Sequence, residues 1–182
     1  MRKHFIIIAL LSFSFVLRIE AQEEPKFDTG IGVGLDYGGI GANVNFILSE
    51  NITIEGFCGY NLLDIAGGGA VNIYLLPKES SRIYRLAVKT MYGYNAIINQ
   101  SYDADINFSY NHAKIFYGFT FGLVNEFRFG KRKDNGFNIG ILVPIRTKEF
   151  YTDFKDLEDS GYEVSKPWPV LFSIGYRVEF RK

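Results

Sequence analysis

An alternation of period two begins near residue 27 and continues almost to the end of the chain, and it restricts the fold more than any other feature. Its clearest run is WPVLFSIGYRVEFRK, residues 168–182. Every second residue is apolar or aromatic: Trp168, Val170, Phe172, Ile174, Tyr176, Val178 and Phe180. Between them stand Pro169, Leu171, Ser173, Gly175, Arg177 and Glu179, mostly small or charged. Successive side chains of a strand point to opposite faces, so this run predicts a strand with one greasy and one polar face.

Seven earlier segments repeat the pattern: 27–36, 40–48, 52–61, 65–76, 83–94, 114–129 and 137–146. The first sets Phe27, Thr29, Ile31, Val33 and Leu35 against Asp28, Gly30, Gly32, Gly34 and Asp36. Segment 65–76 is weaker, and its Gly67-Gly68-Gly69 is expected to mark a bend or bulge. Asn125 is an exception on a greasy face. Aromatics make up 16% of the residues and there are 19 glycines, which suits aromatic strands joined by flexible turns. No stretch between the strands reads as an amphipathic helix.

The expected connections alternate in kind. Those at 49–51, 77–81 and 130–136 are short, and those at 95–113 and 147–167 are long. The turns near Tyr37-Gly38-Gly39 and Leu62-Leu63-Asp64 are brief. Short turns at one end and longer loops at the other are a pattern of membrane barrels.

The first residues read as an export leader. Met1-Arg2-Lys3 is followed by an apolar run from Phe5 to Leu17, and Ala21-Gln22 offers a cleavage point. The expected division is a signal peptide at 1–21, a short segment at 22–26 and one β-barrel domain at 27–182. Without residues 1–21 the chain has three fewer basic residues and one fewer acidic, a net charge of −2. That balance gives no sign of a nucleic-acid partner. Cys58 is the only cysteine, so no internal disulfide can form.

Eight antiparallel strands close most simply into an up-and-down barrel whose interior is only wide enough for side chains. The small and charged set fits inside. Glu55, Arg85, Lys89, Glu126, Arg128, Arg177 and Glu179 are expected there as a paired network, because isolated buried ions are very costly. The greasy set, including the seven residues of the closing strand, is expected to face lipid. Trp168, Tyr176, Phe180, Tyr84, Tyr92, Tyr94, Phe127 and Phe129 suit the aromatic girdles of such a transmembrane barrel. The plainer account is that aromatics are good strand formers.

The leader ending Ala21-Gln22, the dyad repeats and the closing Gly175-Tyr176-Arg177-Val178-Glu179-Phe180 together resemble the outer-membrane protein β-barrel domain of Gram-negative bacteria, the small eight-stranded kind. The closing stretch is similar to the C-terminal strand signal read by the barrel-assembly machinery. Phe180 matches that family's terminal aromatic, with Arg181 and Lys182 following it. The resemblance implies a place in the cell outer membrane after export, with membrane lipids and lipopolysaccharide as partners. It implies no cofactor and a structural or surface-interaction role carried by loops 95–113 and 147–167.

Chemistry-bearing residues are few. His112 is the only histidine after the leader, with Ser109 and Asp105 near it in sequence. A lipid-modifying enzyme using this histidine is one alternative, although three groups on one loop lack the rigid support catalysis needs. Asp103-Ala104-Asp105-Ile106-Asn107 opens like a calcium loop, but Phe108 and Lys114 fill its glycine and glutamate positions. The acidic loop 147–166 and the basic Lys131-Arg132-Lys133 read first as solvated surface. A second alternative is a secreted soluble barrel with its greasy face inward around a hydrophobic ligand.

Overall fold

The computed structural model describes residues 27–76, 83–104, 108–161 and 166–180. Eight antiparallel strands form one closed barrel in sequence order. They are β1 (Phe27–Gly34), β2 (Gly39–Ile47), β3 (Ile52–Tyr60), β4 (Ile65–Tyr74), β5 (Tyr84–Ala104), β6 (Phe108–Phe129), β7 (Asn135–Pro144) and β8 (Leu171–Phe180). Closure comes from β1 pairing with β8, from Phe27 opposite Phe180 to Val33 opposite Ile174. The expected leader and the segment 22–26 lie outside the described residues.

The alternation sets the two faces. On β8, Phe172, Ile174 and Phe180 are exposed, while Ser173, Gly175, Arg177 and Glu179 are buried. On β7, Phe137, Ile139, Ile141 and Val143 are exposed, and Asn138, Gly140 and Leu142 are buried. The outer face is therefore aliphatic and aromatic around the barrel, and the inner face is polar. A barrel with its greasy face inward is contradicted by this distribution. A small apolar cluster of Leu35, Phe57, Ala70, Met91 and Leu142 lies inside.

Several boundaries depart from the sequence reading. The closing strand begins at Leu171, so Trp168 and Val170 precede it. The expected loop 95–113 is strand instead, because β5 runs to Ala104 and β6 starts at Phe108. Polar residues such as Asn99, Gln100 and Asn111 hide this extension by breaking the greasy alternation. The expected bulge at Gly67–Gly69 is absent, for β4 pairs with β3 without a register shift. The shift falls between Tyr94 and Ala96, opposite Tyr117 and Phe116. There Tyr94 is only partly exposed and packs against the interior cluster, so it leaves the expected girdle.

A helix, α1 (Lys148–Asp159), occupies the expected long loop before β8. Thr147 caps it, its hydroxyl accepting from the Phe150 N–H at 3.3 Å. Phe150, Phe154 and Leu157 recur at helical spacing and form its packed face.

Candidate functional site

The barrel interior and its two rims carry the chemistry. All seven charged residues expected inside are buried there, in two groups. In the first, Lys89 Nζ lies 2.9 Å from Asp36 Oδ2 and 2.8 Å from Glu55 Oε1. Asn72 Nδ2 donates to Glu55 Oε2 at 3.1 Å and to Thr53 Oγ1 at 3.2 Å. Arg177 reaches Asp28 at 3.4 Å and Glu55 at 3.5 Å.

The second group centres on Glu126. Arg85 Nη2 donates to Oε2 at 2.5 Å, and Arg128 Nε donates to Oε1 at 2.7 Å. Arg128 also pairs with Glu179. The Arg85 guanidinium stacks over the Tyr74 ring, 4.5 Å from its centroid. Charges withdrawn from water persist only with such partners, because the desolvation cost is several kcal/mol per ion (roughly).

Asp28 and Asp36 join the network, although the sequence reading did not include them. Both stand in the inward phase of the first segment, so the signal was present. With them the interior holds five carboxylates and four cations among the described residues.

That turn enters the barrel. Leu35–Tyr37 form one 3-10 turn between β1 and β2, and all three residues are buried. Gly38 ends it in the left-handed region at φ 67°. A Cβ at Gly38 would lie 2.3 Å from the Ala66 carbonyl oxygen, so a side chain there is excluded twice over. The Tyr37 hydroxyl donates to Asn138 Oδ1 at 3.0 Å and accepts from Asn138 Nδ2 at 2.7 Å.

Room for Tyr37 comes from a row of inward glycines. Gly175 pairs with Gly32, Gly32 with Gly41, and Gly41 with Gly59, across four adjacent strands. A Cβ at Gly175 would stand 2.0 Å from the Tyr37 hydroxyl, and one at Gly32 would stand 2.7 Å from its ring. Phe57 uses a second such gap, beside Gly68 and Gly93. The brief first turn is thus an internal plug.

At the same end of the barrel, β5 and β6 outgrow their neighbours. Pairing of β5 with β4 ends at Gly93, and ladder pairing of β6 with β7 begins at Thr120. Beyond those points the two strands pair with each other as a ribbon, among the described residues. Helix α1 packs on the base of this ribbon through Phe150 and Leu157, against Ala96, Ile98 and Phe116. Lys114 on the ribbon pairs with Asp153 at 2.6 Å and Glu149 at 2.8 Å.

His112 belongs to β6 and is paired in the ladder with Gln100, so it is not a loop residue. Ser109 is also in β6, opposite Asp103. The His112 side chain and all of Asp105 lie outside what the structure describes. Strand pairing across 108–114 is also incompatible with a calcium loop spanning 103–114.

The opposite rim is aromatic. Tyr84, Phe127, Phe137 and Tyr176 form one continuous row across β5 to β8. Phe46, Phe27 and Phe180 form another across β2, β1 and β8. The rings touch: Phe27 stacks on Phe180 at 5.1 Å and Phe129 on Phe137 at 5.4 Å. Outward Asn125 accepts a hydrogen bond from the Tyr84 hydroxyl at 2.5 Å, which explains how an amide is tolerated on the greasy face. Comparison with protein-family models, with curated proteins and with solved structures returns no match for this chain.

Proposed function

We propose that this chain is an integral outer-membrane β-barrel protein of a Gram-negative cell, with a structural or surface-interaction role and no catalytic one. The observation that carries the reading is the inversion of polarity. Large apolar side chains stand exposed on the outer face, while Arg85, Lys89, Glu55 and Glu126 are buried inside. In water such a surface would aggregate. In a bilayer it is the required arrangement, because lipid accepts the greasy face and closure satisfies every strand edge.

Four features agree with this reading. Six of the strands have 8 to 10 residues, close to the roughly 9–11 needed to cross a bilayer when tilted. Aromatic rows lie at one rim, where headgroup-level girdles belong. The leader at 1–21 fits export. Phe180, paired with Phe27 at the closing seam, fits recognition by the barrel-assembly machinery.

In this reading the ribbon of β5 and β6 with α1 replaces the two expected loops as the surface presented to partners, lipopolysaccharide among them. The filled interior makes a structural role fit better than bulk-solute transport.

Cell fractionation tests the proposal. The protein is expected in the outer-membrane fraction, soluble only with detergent, and migrating differently on denaturing gels before and after boiling. Recovery in the soluble periplasmic or secreted fraction without detergent would reject it.

A further inference from the structure

The turn between β6 and β7 carries Lys131-Arg132-Lys133 at the aromatic rim. We infer that this turn is a binding site for the phosphate of an anionic glycerophospholipid. The inference rests on the membrane reading above.

Three observations support it. First, the turn is held in shape. Lys133 N–H donates to the Gly130 carbonyl at 3.2 Å, and Arg128 Nη1 donates to the Lys133 carbonyl at 3.0 Å. Gly130 and Lys133 have φ of 88° and 55°, which curl the backbone tightly. The interior network therefore reaches out through Arg128 and fixes the presentation of three consecutive cations.

Second, the nearest interior carboxylates are already committed. Glu126 and Glu179 both pair with Arg128 inside the barrel. Lys131 and Arg132 are exposed, and no ion pair joins them to a carboxylate among the described residues. An external anion supplies the partner that Lys131 and Arg132 lack.

Third, the turn stands beside an apolar wall. Phe129, Phe137 and Tyr176 contact one another at centroid distances of 5.4 to 6.1 Å, on the outer face just below the turn. The Tyr176 hydroxyl donates to Asn135 Oδ1 at 2.8 Å, so the polar tip of the wall faces the turn residues. Acyl chains against the rings place a phosphodiester at the level of the cations. An acidic protein would need the cations but not the wall.

The test uses the full folded chain in phosphatidylcholine vesicles containing either spin-labelled phosphatidylglycerol or spin-labelled phosphatidylcholine. Flotation first measures insertion, and the motionally restricted spin fraction then measures lipid contact. The wild type is expected to prefer the phosphatidylglycerol label by about fivefold, the equivalent of roughly 1 kcal/mol. The triple variant Lys131→Gln, Arg132→Gln, Lys133→Gln keeps the backbone bonds of the turn and is expected to insert but lose the preference. Insertion with no preference, or a preference that survives in the triple variant, overturns the site and leaves the membrane reading standing. Failure of the wild type to insert overturns both.

Discussion

Lys89 and Asp36 are 53 positions apart in the chain, and their side chains meet at 2.9 Å inside the barrel. The contact joins the wall of the barrel to the plug that fills it. Glu55 shares the same ammonium group at 2.8 Å, so one cation offsets two carboxylates.

Replacing Lys89 with Met is therefore expected to destabilise the barrel by about 3–5 kcal/mol, since buried Asp36 loses its cation and Glu55 keeps only the more distant Arg177. Adding Asp36→Asn should return part of that loss. Unfolding by urea in detergent micelles measures both variants. Equal stabilities for wild type and Lys89→Met would show that the plug is not held this way.

Gly175→Val tests the room made for Tyr37. The new side chain meets the Tyr37 hydroxyl, whose position is only 2.0 Å from a Cβ at that site. Overpacking of this kind costs about 1–3 kcal/mol. Tyr37→Ala in the same background should relieve much of it, a recovery that double-mutant unfolding experiments read directly. Additive losses would mean that Tyr37 lies elsewhere.

The helix on the ribbon is a separate unit of stability. Phe150 is 2% exposed and packs edge-on to Phe116, with ring centroids 5.2 Å apart. Phe150→Ala is expected to raise hydrogen exchange across 148–159 while leaving exchange in β7 and β8 unchanged. Faster exchange through the whole barrel would contradict this division.

The same contact has a pH dependence. Hydrogen bonds from Lys114 to Asp153, and then to Glu149, raise the lysine pKa above its ordinary value. A raised folded-state value means the contribution is fully present below the unfolded pKa and is lost as pH rises through the folded one. Helix protection should thus hold at neutral pH and decline only on the alkaline side of the usual lysine range. Lys114→Gln should abolish that alkaline step.

How far the sequence discloses this molecule depends on what each residue had to satisfy. Strand faces were legible because barrel walls separate two environments, and each step along Phe172, Ser173 and Ile174 crosses between them. The ribbon was not legible. Past Gly93 no third strand pairs with it among the described residues, so the sequence there, with Asn99 and Gln100, shows no two-sided alternation. Helix α1 left a readable trace in Thr147 and in the spacing of Phe150, Phe154 and Leu157, obscured by the acidic residues between them. The plug was hidden for another reason. Leu35-Asp36-Tyr37 looks like any short turn, and the space it fills depends on Gly175 of the closing strand, far away in sequence, as well as on nearby Gly32.

The most direct test of the central claim is the depth of outward side chains in a bilayer. Trp168 is the only tryptophan, so Trp168→Phe gives a silent background. A single tryptophan is then placed at Ile139, midway along β7, or at Phe180, in the rim row with Phe27. Both positions are exposed on the outer face. In vesicles of lipids brominated at chosen depths, the Ile139 position should be quenched most by bromines deep in the acyl chains, and the Phe180 position by shallow ones. Both should resist an aqueous quencher. Quenching from water at both positions, with no dependence on bromine depth, would contradict a membrane-spanning barrel.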